Sequence, residues 1–282
     1  MSNQTGVLYV VATPIGNMED ISRRAERILN EVDLILAEDT RHSGHLLKQL
    51  VISTPTQSLH DHNELDRVPM IIRELQNGKN LALISDAGTP LISDPGYHLI
   101  DALQQQGLRV CPIPGASAVI TALSAAGLAS DRFSFEGFLP AKRVNRKDTY
   151  SELLNESRTL IFYESPHRIM ESLADAIDIF GGDRLAAIAR ELTKLHEDIK
   201  RGTLQDLYTW LQENTEKQRG EFVLMIAGNG EPVREEELEV RRILSVLLKE
   251  LPTKKAAEMA ADITGQKKNQ LYQMALEIKD SE

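Results

Sequence analysis

The chain has one cysteine and one tryptophan in 282 residues, and aromatic side chains make up only 5% of it. A lone thiol, Cys111, excludes a disulfide within the chain and a zinc site built from cysteines. In Arg109-Val-Cys-Pro-Ile-Pro-Gly115 it reads as a small buried strand residue. Basic residues are outnumbered, 32 against 42 acidic ones, for a formal charge of −10. That balance argues against binding a nucleic-acid backbone or an anionic membrane with the whole surface, and leaves room for a local basic groove. No apolar run approaches the ~20 residues that a spanning helix needs. The short apolar stretch at residues 7–12 lacks the pattern of a secretory signal. A soluble protein in a reducing cytoplasm is expected. His60, Asp61 and His62 form a polar loop without a third ligand at metal-site spacing, so no metal centre is expected.

What is present is alternation. With 41% hydrophobic residues the chain can bury a real core, and its length suggests two domains with an appendage. Apolar runs at residues 6–12, 32–37, 81–85 and 109–113 alternate with helical patterns at 20–30 (capped by Asp20), 65–77, 94–106 and 117–126. Strands apolar on both faces and separated by helices imply a mostly parallel sheet covered on both sides. Strands at 133–138, 159–163, 185–189 and 222–226 and helices at 145–155, 167–180 and 204–212 predict a second α/β domain. An acidic, loop-like stretch follows at 231–239. Three helical patterns then complete the chain, at 240–250, 253–264 and 268–279, a unit of helix-turn-helix size. Its paired basic residues, Arg241/Arg242, Lys254/Lys255 and Lys267/Lys268, suit either a solvated helical cap or nucleic-acid contact. The expected domains are 1–128, 129–230 and 231–282.

Strand ends carry the chemistry. Ligands of parallel α/β sheets bind at the carboxyl ends of the strands. Leu81-Ala-Leu-Ile runs there into Ser85-Asp-Ala-Gly-Thr-Pro90 and then Asp94-Pro-Gly96. These residues are either a ligand loop or a tight turn with a capping Asp. Six further loops join it in order: Ala12-Thr-Pro-Ile-Gly-Asn17, Ala37-Glu-Asp-Thr-Arg-His42, Pro112-Ile-Pro-Gly-Ala-Ser-Ala118, Phe162-Tyr-Glu-Ser-Pro-His-Arg168, Ala189-Arg-Glu-Leu-Thr-Lys-Leu-His-Glu197 and Arg219-Gly-Glu-Phe-Val223.

Together these seven loops resemble the tetrapyrrole-methylase superfamily, the class III S-adenosylmethionine-dependent methyltransferases, over essentially the whole chain. The match is to the branch that methylates the ribose 2′-oxygen of a cytidine in the decoding region of 16S rRNA. The tetrapyrrole enzymes usually open with a Gly-x-Gly-Pro-Gly-like loop, where this chain has Ala12-Thr-Pro-Ile-Gly16. That departure argues against a tetrapyrrole substrate. The tail resembles the RNA-contacting appendage of the rRNA branch.

The resemblance implies two α/β domains, a mostly parallel sheet and then a mixed one, with S-adenosyl-L-methionine in the cleft between them. It implies a homodimer acting on 16S rRNA within the small ribosomal subunit. Asp86, Gly88, Leu91 and Ile92 would wrap the cofactor. Ser117 and Ala118 would offer a helix N-terminus to its carboxylate, or Ser117 simply caps the helix. Phe162 and Tyr163 would line the adenine pocket, with core packing the other reading of Phe162. Ala227 would let a ring lie on backbone. Glu38, Asp39, Arg41 and His42 hold the types that deprotonate or orient a hydroxyl and clamp a phosphate, although Asp39 and Arg41 can equally form an internal ion pair. RNA contacts would come from Lys142, Arg143, Arg146, Lys147, Lys254, Lys255, Lys267 and Lys268, with His167, Arg168 and Lys194. For these the alternatives are a surface loop, a helix N-terminus and a domain-interface salt bridge. A tetrapyrrole-precursor methylase and a non-catalytic RNA-binding assembly factor are the rival functions.

Overall fold

A computed structural model describes residues 5–229, 235–248 and 251–280. The chain divides into two compact units, Met1–Leu154 with Arg158–Gly228, and Asn155–Ser157 with Asn229–Glu282.

The first unit holds two sheets. Strands β1 (Val7–Val11), β2 (Leu34–Ala37), β3 (Thr56–Ser58), β4 (Leu81–Ile84) and β5 (Arg109–Ile113) form one, in the order β3-β2-β4-β1-β5, with every neighbouring pair parallel. Helices α1 (Arg23–Glu31), α2 (Thr40–Gln49), α3 (Glu64–Gln76), α4 (Tyr97–Gln105) and α5 (Ala118–Ala125) connect and follow these strands. Alternation explains the layering. Val11, Ile35 and Ala82 pack with Ala25, Ile28 and Leu29 of α1 on one face. Leu8, Leu36 and Leu83 pack with α3 and α4 residues on the other.

The second sheet is mixed: β6 (Phe133–Phe138), β7 (Thr159–Glu164), β8 (Leu185–Arg190), β9 (Asp198–Thr203) and β10 (Phe222–Ile226), in the order β6-β7-β10-β8-β9. Only β6 and β7 are parallel; β10 runs against both β7 and β8, and β9 against β8. Helices α6 (Arg143–Glu152), α7 (Ile169–Phe180) and α8 (Leu204–Glu213) accompany it. Its outer face buries Leu160, Phe162, Ile188 and Leu224 against Tyr150, Leu173 and Leu207. Its inner face buries Ile161, Ala187, Val223 and Met225 against Val119, Ala122 and Leu123 of α5. The Ala-rich helix that closes the first sheet thus lies on the second, and this holds the two halves face to face.

Three elements escape the sequence patterns: α2, β3 and β9. Helix α2 buries only Ser43 and Leu47, too few positions to show a period. β3 (Thr-Gln-Ser) and β9 (Asp-Ile-Lys-Arg-Gly-Thr) are polar edge strands, which need no apolar face pattern. Several ends also move. Ser22, not Asp20, caps α1, its hydroxyl accepting from the Ala25 amide. Helix α4 starts at Tyr97 rather than 94, which leaves Asp94 in the loop. Cys111 is half-buried, not buried.

The second unit contains α9 (Glu235–Leu248), α10 (Thr253–Thr264) and α11 (Lys268–Asp280) around Val240, Leu244, Ala257, Ala260, Leu271 and Ala275. Residues 235–239, expected as loop, are helical; 231–234 and 249–250 lie outside the described residues. Residues 265–267 join α10 to α11, a turn of helix-turn-helix length. No helix among the described residues is long and apolar enough to cross a membrane.

Candidate active site

Parallel pairing brings the ends of β1, β2, β4 and β5 to one edge of the first sheet, and their loops meet there. The β1 and β4 loops are pinned together by a two-residue bridge: the Thr13 amide donates to Gly88 O at 2.8 Å and the Gly88 amide to Thr13 O at 3.1 Å. A cavity of about 430 Å³ opens beside this bridge, between the two sheets. That volume falls in the ~300–1,000 Å³ range of small-molecule sites. From the first sheet it is lined by Ile15, Glu38, the 86–89 and 92–94 segments and the start of α5 at Ser117 and Ala118. From the second sheet come Phe138, Tyr163, Glu164, Ala189, Leu192 and the start of β10 at Glu221, Phe222 and Val223.

Strand direction decides which second-sheet residues reach it. Phe222 pairs with both Glu164 and Arg190, so the start of β10 lies beside the ends of β7 and β8. Ala227 follows the far end of β10, about five strand residues or ~17 Å away. It was expected at the cofactor as a small residue after the last strand, and it does not line this cavity. Phe162 is also displaced: alternation turns it outward, where its ring stands 5.6 Å from that of Tyr150 in the core. Leu91 packs into the core of the first sheet. Asp86, Gly88, Ile92, Ser117, Ala118 and Tyr163 line the cavity. Asp94, Leu192, Glu221 and Phe222 are lining residues that the sequence reading missed. Asp94 was legible only as the opening of a helix, and the other three depend on the antiparallel sheet.

One wall is acidic. Glu38, Asp86 and Asp94 all line the cavity, and among the described residues no lysine, arginine or histidine forms a salt bridge with any of them. Burial pushes the Glu38 carboxyl up, with repulsion from Asp94 and Asp86 adding to it. Burial likewise raises Asp94, helped by Asp86 and Asp61 and opposed by a hydrogen bond with Ser85. The Asp39 amide donates to Asp86 Oδ1 at 3.2 Å, which holds the β2 loop against the β4 loop. Across the cavity, burial and then Asp94 push the Tyr163 hydroxyl up to about 12.

Backbone strain gathers around the same space. Leu91 and Ser93 in one loop and Glu191 and Thr193 in the facing one are non-glycine residues with φ between 50° and 72°. The second loop is held by contact: a Cβ on Gly16 would lie 2.5 Å from Lys194 Cγ and 3.0 Å from Leu192 O. Only glycine allows the β1 and β8 loops to close that far.

Of the four expected catalytic residues, Glu38 alone lines the cavity. Asp39 caps α2, accepting from the Arg41 amide at 2.8 Å, and its carboxylate pairs with the Arg41 guanidinium at 2.9 Å. That partner holds Asp39 well below the usual carboxylate range. Arg41 is 90% exposed, and His42 is exposed in the first turn of α2. The internal-pair reading describes these residues. Arg41→Ala is therefore expected to change turnover by much less than about tenfold, because Arg41 does not line the cavity and its exposed pair with Asp39 contributes little; a larger loss with unchanged folding would return Arg41 to the chemistry.

The expected RNA contacts separate into kinds. Arg146 is fully buried and bonds Asp175 at 2.7 Å, so it is a core residue and not a phosphate ligand. Arg143 pairs with Asp175 and Asp178, and Lys147 with Asp178. Arg168 pairs with the buried Glu164 at 2.9 Å, and Lys194 with Glu191 and Glu221. Lys255 and Lys268 share Glu258. His167, Lys254 and Lys267 are exposed. Lys267 and Lys268 stand where α11 begins, the end of a second helix that in helix-turn-helix proteins faces nucleic acid. No group of three His, Cys, Asp or Glu among the described residues could hold a metal ion.

Residues 7–208 match the sequence profile of the Tetrapyrrole (Corrin/Porphyrin) Methylases, and the chain belongs to that family. Residues 234–279 match a second profile, the RsmI C-terminal HTH domain. The chain is similar to the ribosomal RNA small subunit methyltransferase I of Pseudomonas aeruginosa, with 55% identity over 96% of this chain and 97% of that protein. The Vibrio cholerae protein of the same name is 53% identical over 98% and 96%. Among solved structures, a uroporphyrin-III C-methyltransferase from Thermus thermophilus aligns with a TM-score of 0.53 over 79% of this chain and 94% of that one, at 19% identity. A diphthine synthase aligns at 0.59 over 79% and 90%, at 15% identity. These last two share the fold.

Proposed function

We propose that this chain is an S-adenosyl-L-methionine-dependent methyltransferase that modifies the ribose 2′-oxygen of a cytidine in the decoding region of 16S rRNA, acting as a cytoplasmic homodimer. The observation that carries the reading is the cavity itself. Its wall of unpaired carboxylates suits a cationic ligand, and the amides at the start of α5 suit a carboxylate. S-adenosyl-L-methionine has both, and the names of the relatives point to the small-subunit RNA as acceptor.

Bound there, the cofactor supplies an electrophilic methyl group on a positively charged sulfur. The chain's own work is positioning and water exclusion. Glu38, half-buried with its carboxyl raised, is placed to orient the ribose hydroxyl and accept its proton. Asp86 and Asp94 supply negative charge, and Ile15, Leu192 and Val223 line the space with apolar surface. Residues 231–282 serve as an RNA-contact segment.

Purified small subunits incubated with methyl-labelled S-adenosyl-L-methionine should yield label in 2′-O-methylcytidine after digestion. Label in a porphyrin-like acceptor would overturn the reading in favour of a tetrapyrrole methylase. Tight subunit binding without transfer would mark an assembly factor. Ending the chain after Gly230 should weaken RNA affinity and leave cofactor affinity unchanged; equal RNA affinity would make the tail a structural cap.

A further inference from the structure

Phe138 lines the cavity although 58% of it is exposed, an aromatic ring that the packing between the sheets does not require. Strand alternation alone does not bring it. Phe135 faces inward, among the apolar residues between the sheets, so position 138 belongs to the opposite face of a regular strand. The register of β6 on β7 shifts between Phe135 and Phe138. Inside that irregularity Gly137 takes a φ of +73°, open to glycine at no steric cost. Such a bulge re-aims the side chain after it. Phe138 returns to the inner face, and its ring meets Tyr163 edge-to-face with centroids 5.3 Å apart; Phe135 flanks the same tyrosine at 4.8 Å. The bulge also abuts the β4 loop: a Cβ on Gly137 would stand 3.7 Å from Ser93 Oγ. Ile92, 38% exposed in that loop, lines the cavity too.

We infer that Phe138 is a stacking platform for a nucleobase, the base attached to the sugar presented to the cavity, with Tyr163 holding the ring and Ile92 offering further apolar surface. The inference rests on the RNA-methylating reading of the site. A stacked nucleotide shows its 2′-hydroxyl on the shallow groove of an RNA helix; for that hydroxyl to enter a recess between two sheets, the nucleotide has to swing out of the stack of its neighbours. The lost stacking is offset when the base lies on an aromatic side chain, the usual device for single-stranded RNA. A half-exposed ring at the mouth, delivered there by a bulge, meets that requirement.

The test compares Phe138→Ala, Phe138→Leu and Phe138→Trp for kcat/KM on small ribosomal subunits and, by calorimetry, for S-adenosyl-L-methionine affinity. Alanine and leucine should each lower kcat/KM by about ten- to a hundredfold, while tryptophan stays near wild type. Cofactor affinity and thermal midpoint should hold in all three. Leucine as active as wild type would reduce Phe138 to an apolar wall and overturn the inference; so would cofactor affinity that falls in step with activity. A wild-type protein that transfers no methyl group to small-subunit RNA would overturn the functional reading and this inference with it. Normal transfer by wild type and all three variants would overturn the stacking role alone.

Discussion

Arg146→Ala should destabilise the protein by about 3–5 kcal/mol, the cost of leaving a buried charge without its partner. The guanidinium is fully buried and Asp175 is 1% exposed. Arg146 Nε donates to Asp175 Oδ2 at 2.9 Å, Nη2 lies 2.7 Å from the same oxygen and donates to Glu171 Oε2 at 3.3 Å, and Nη1 reaches the carbonyls of Pro140 and Ala141. Asp175 accepts a further bond from Arg143 at 2.8 Å. Asp175→Ala should also be harmful, since it leaves the buried Arg146 with the exposed Glu171, at 3.3 Å, in place of its buried partner. Arg146→Met combined with Asp175→Leu should recover much of the loss, because no unpaired charge is left. Urea unfolding of the four proteins checks this, and an Arg146→Ala midpoint equal to wild type would refute it. The same burial predicts that any loss of RNA binding in Arg146→Ala follows unfolding.

Glu38→Gln and Asp94→Asn should each weaken binding of S-adenosyl-L-methionine relative to S-adenosylhomocysteine by about tenfold, a factor equal to about 1.4 kcal/mol of charge interaction. Donor and product differ by one methyl group and one positive charge, so their affinity ratio isolates what the carboxylate wall does to the sulfonium. The pH dependence follows from the raised carboxyls of Glu38 and Asp94. Both take up protons as pH falls through a window above the ordinary carboxylate values. Donor affinity should fall across that window while product affinity changes less. For folding the sign is opposite to that of a salt-bridged carboxylate. The folded state keeps these protons longer than the unfolded chain, so the contribution of the two groups to stability declines as pH rises through the same window. Calorimetry with both ligands across the acid range tests this; a constant ratio would show that the wall does not sense the charge.

Chain pattern made much of the fold legible. Four of the five first-sheet strands are apolar enough to stand out, and the β6 and β10 ranges agree with the expected 133–138 and 222–226. The strand-end position of Asp86, Gly88 and Ser117 was legible too, because parallel strands deliver their carboxyl ends to one edge. What was missed lay at sheet edges, as with β9, or in a helix with few buried positions, as with α2.

By itself the sequence determined the alternation of strand and helix, the parallel first sheet and the family resemblance, because burial on both strand faces and glycine- or proline-bearing turns are written locally. Only the tertiary structure decided which side chains meet. The direction of β10 put Phe222 and not Ala227 at the cavity, strand alternation buried Phe162, a bulge turned Phe138 toward the cavity, and Asp175 drew Arg146 into the core. Strand direction, register and ion pairing join residues far apart in the chain, and no local pattern records them.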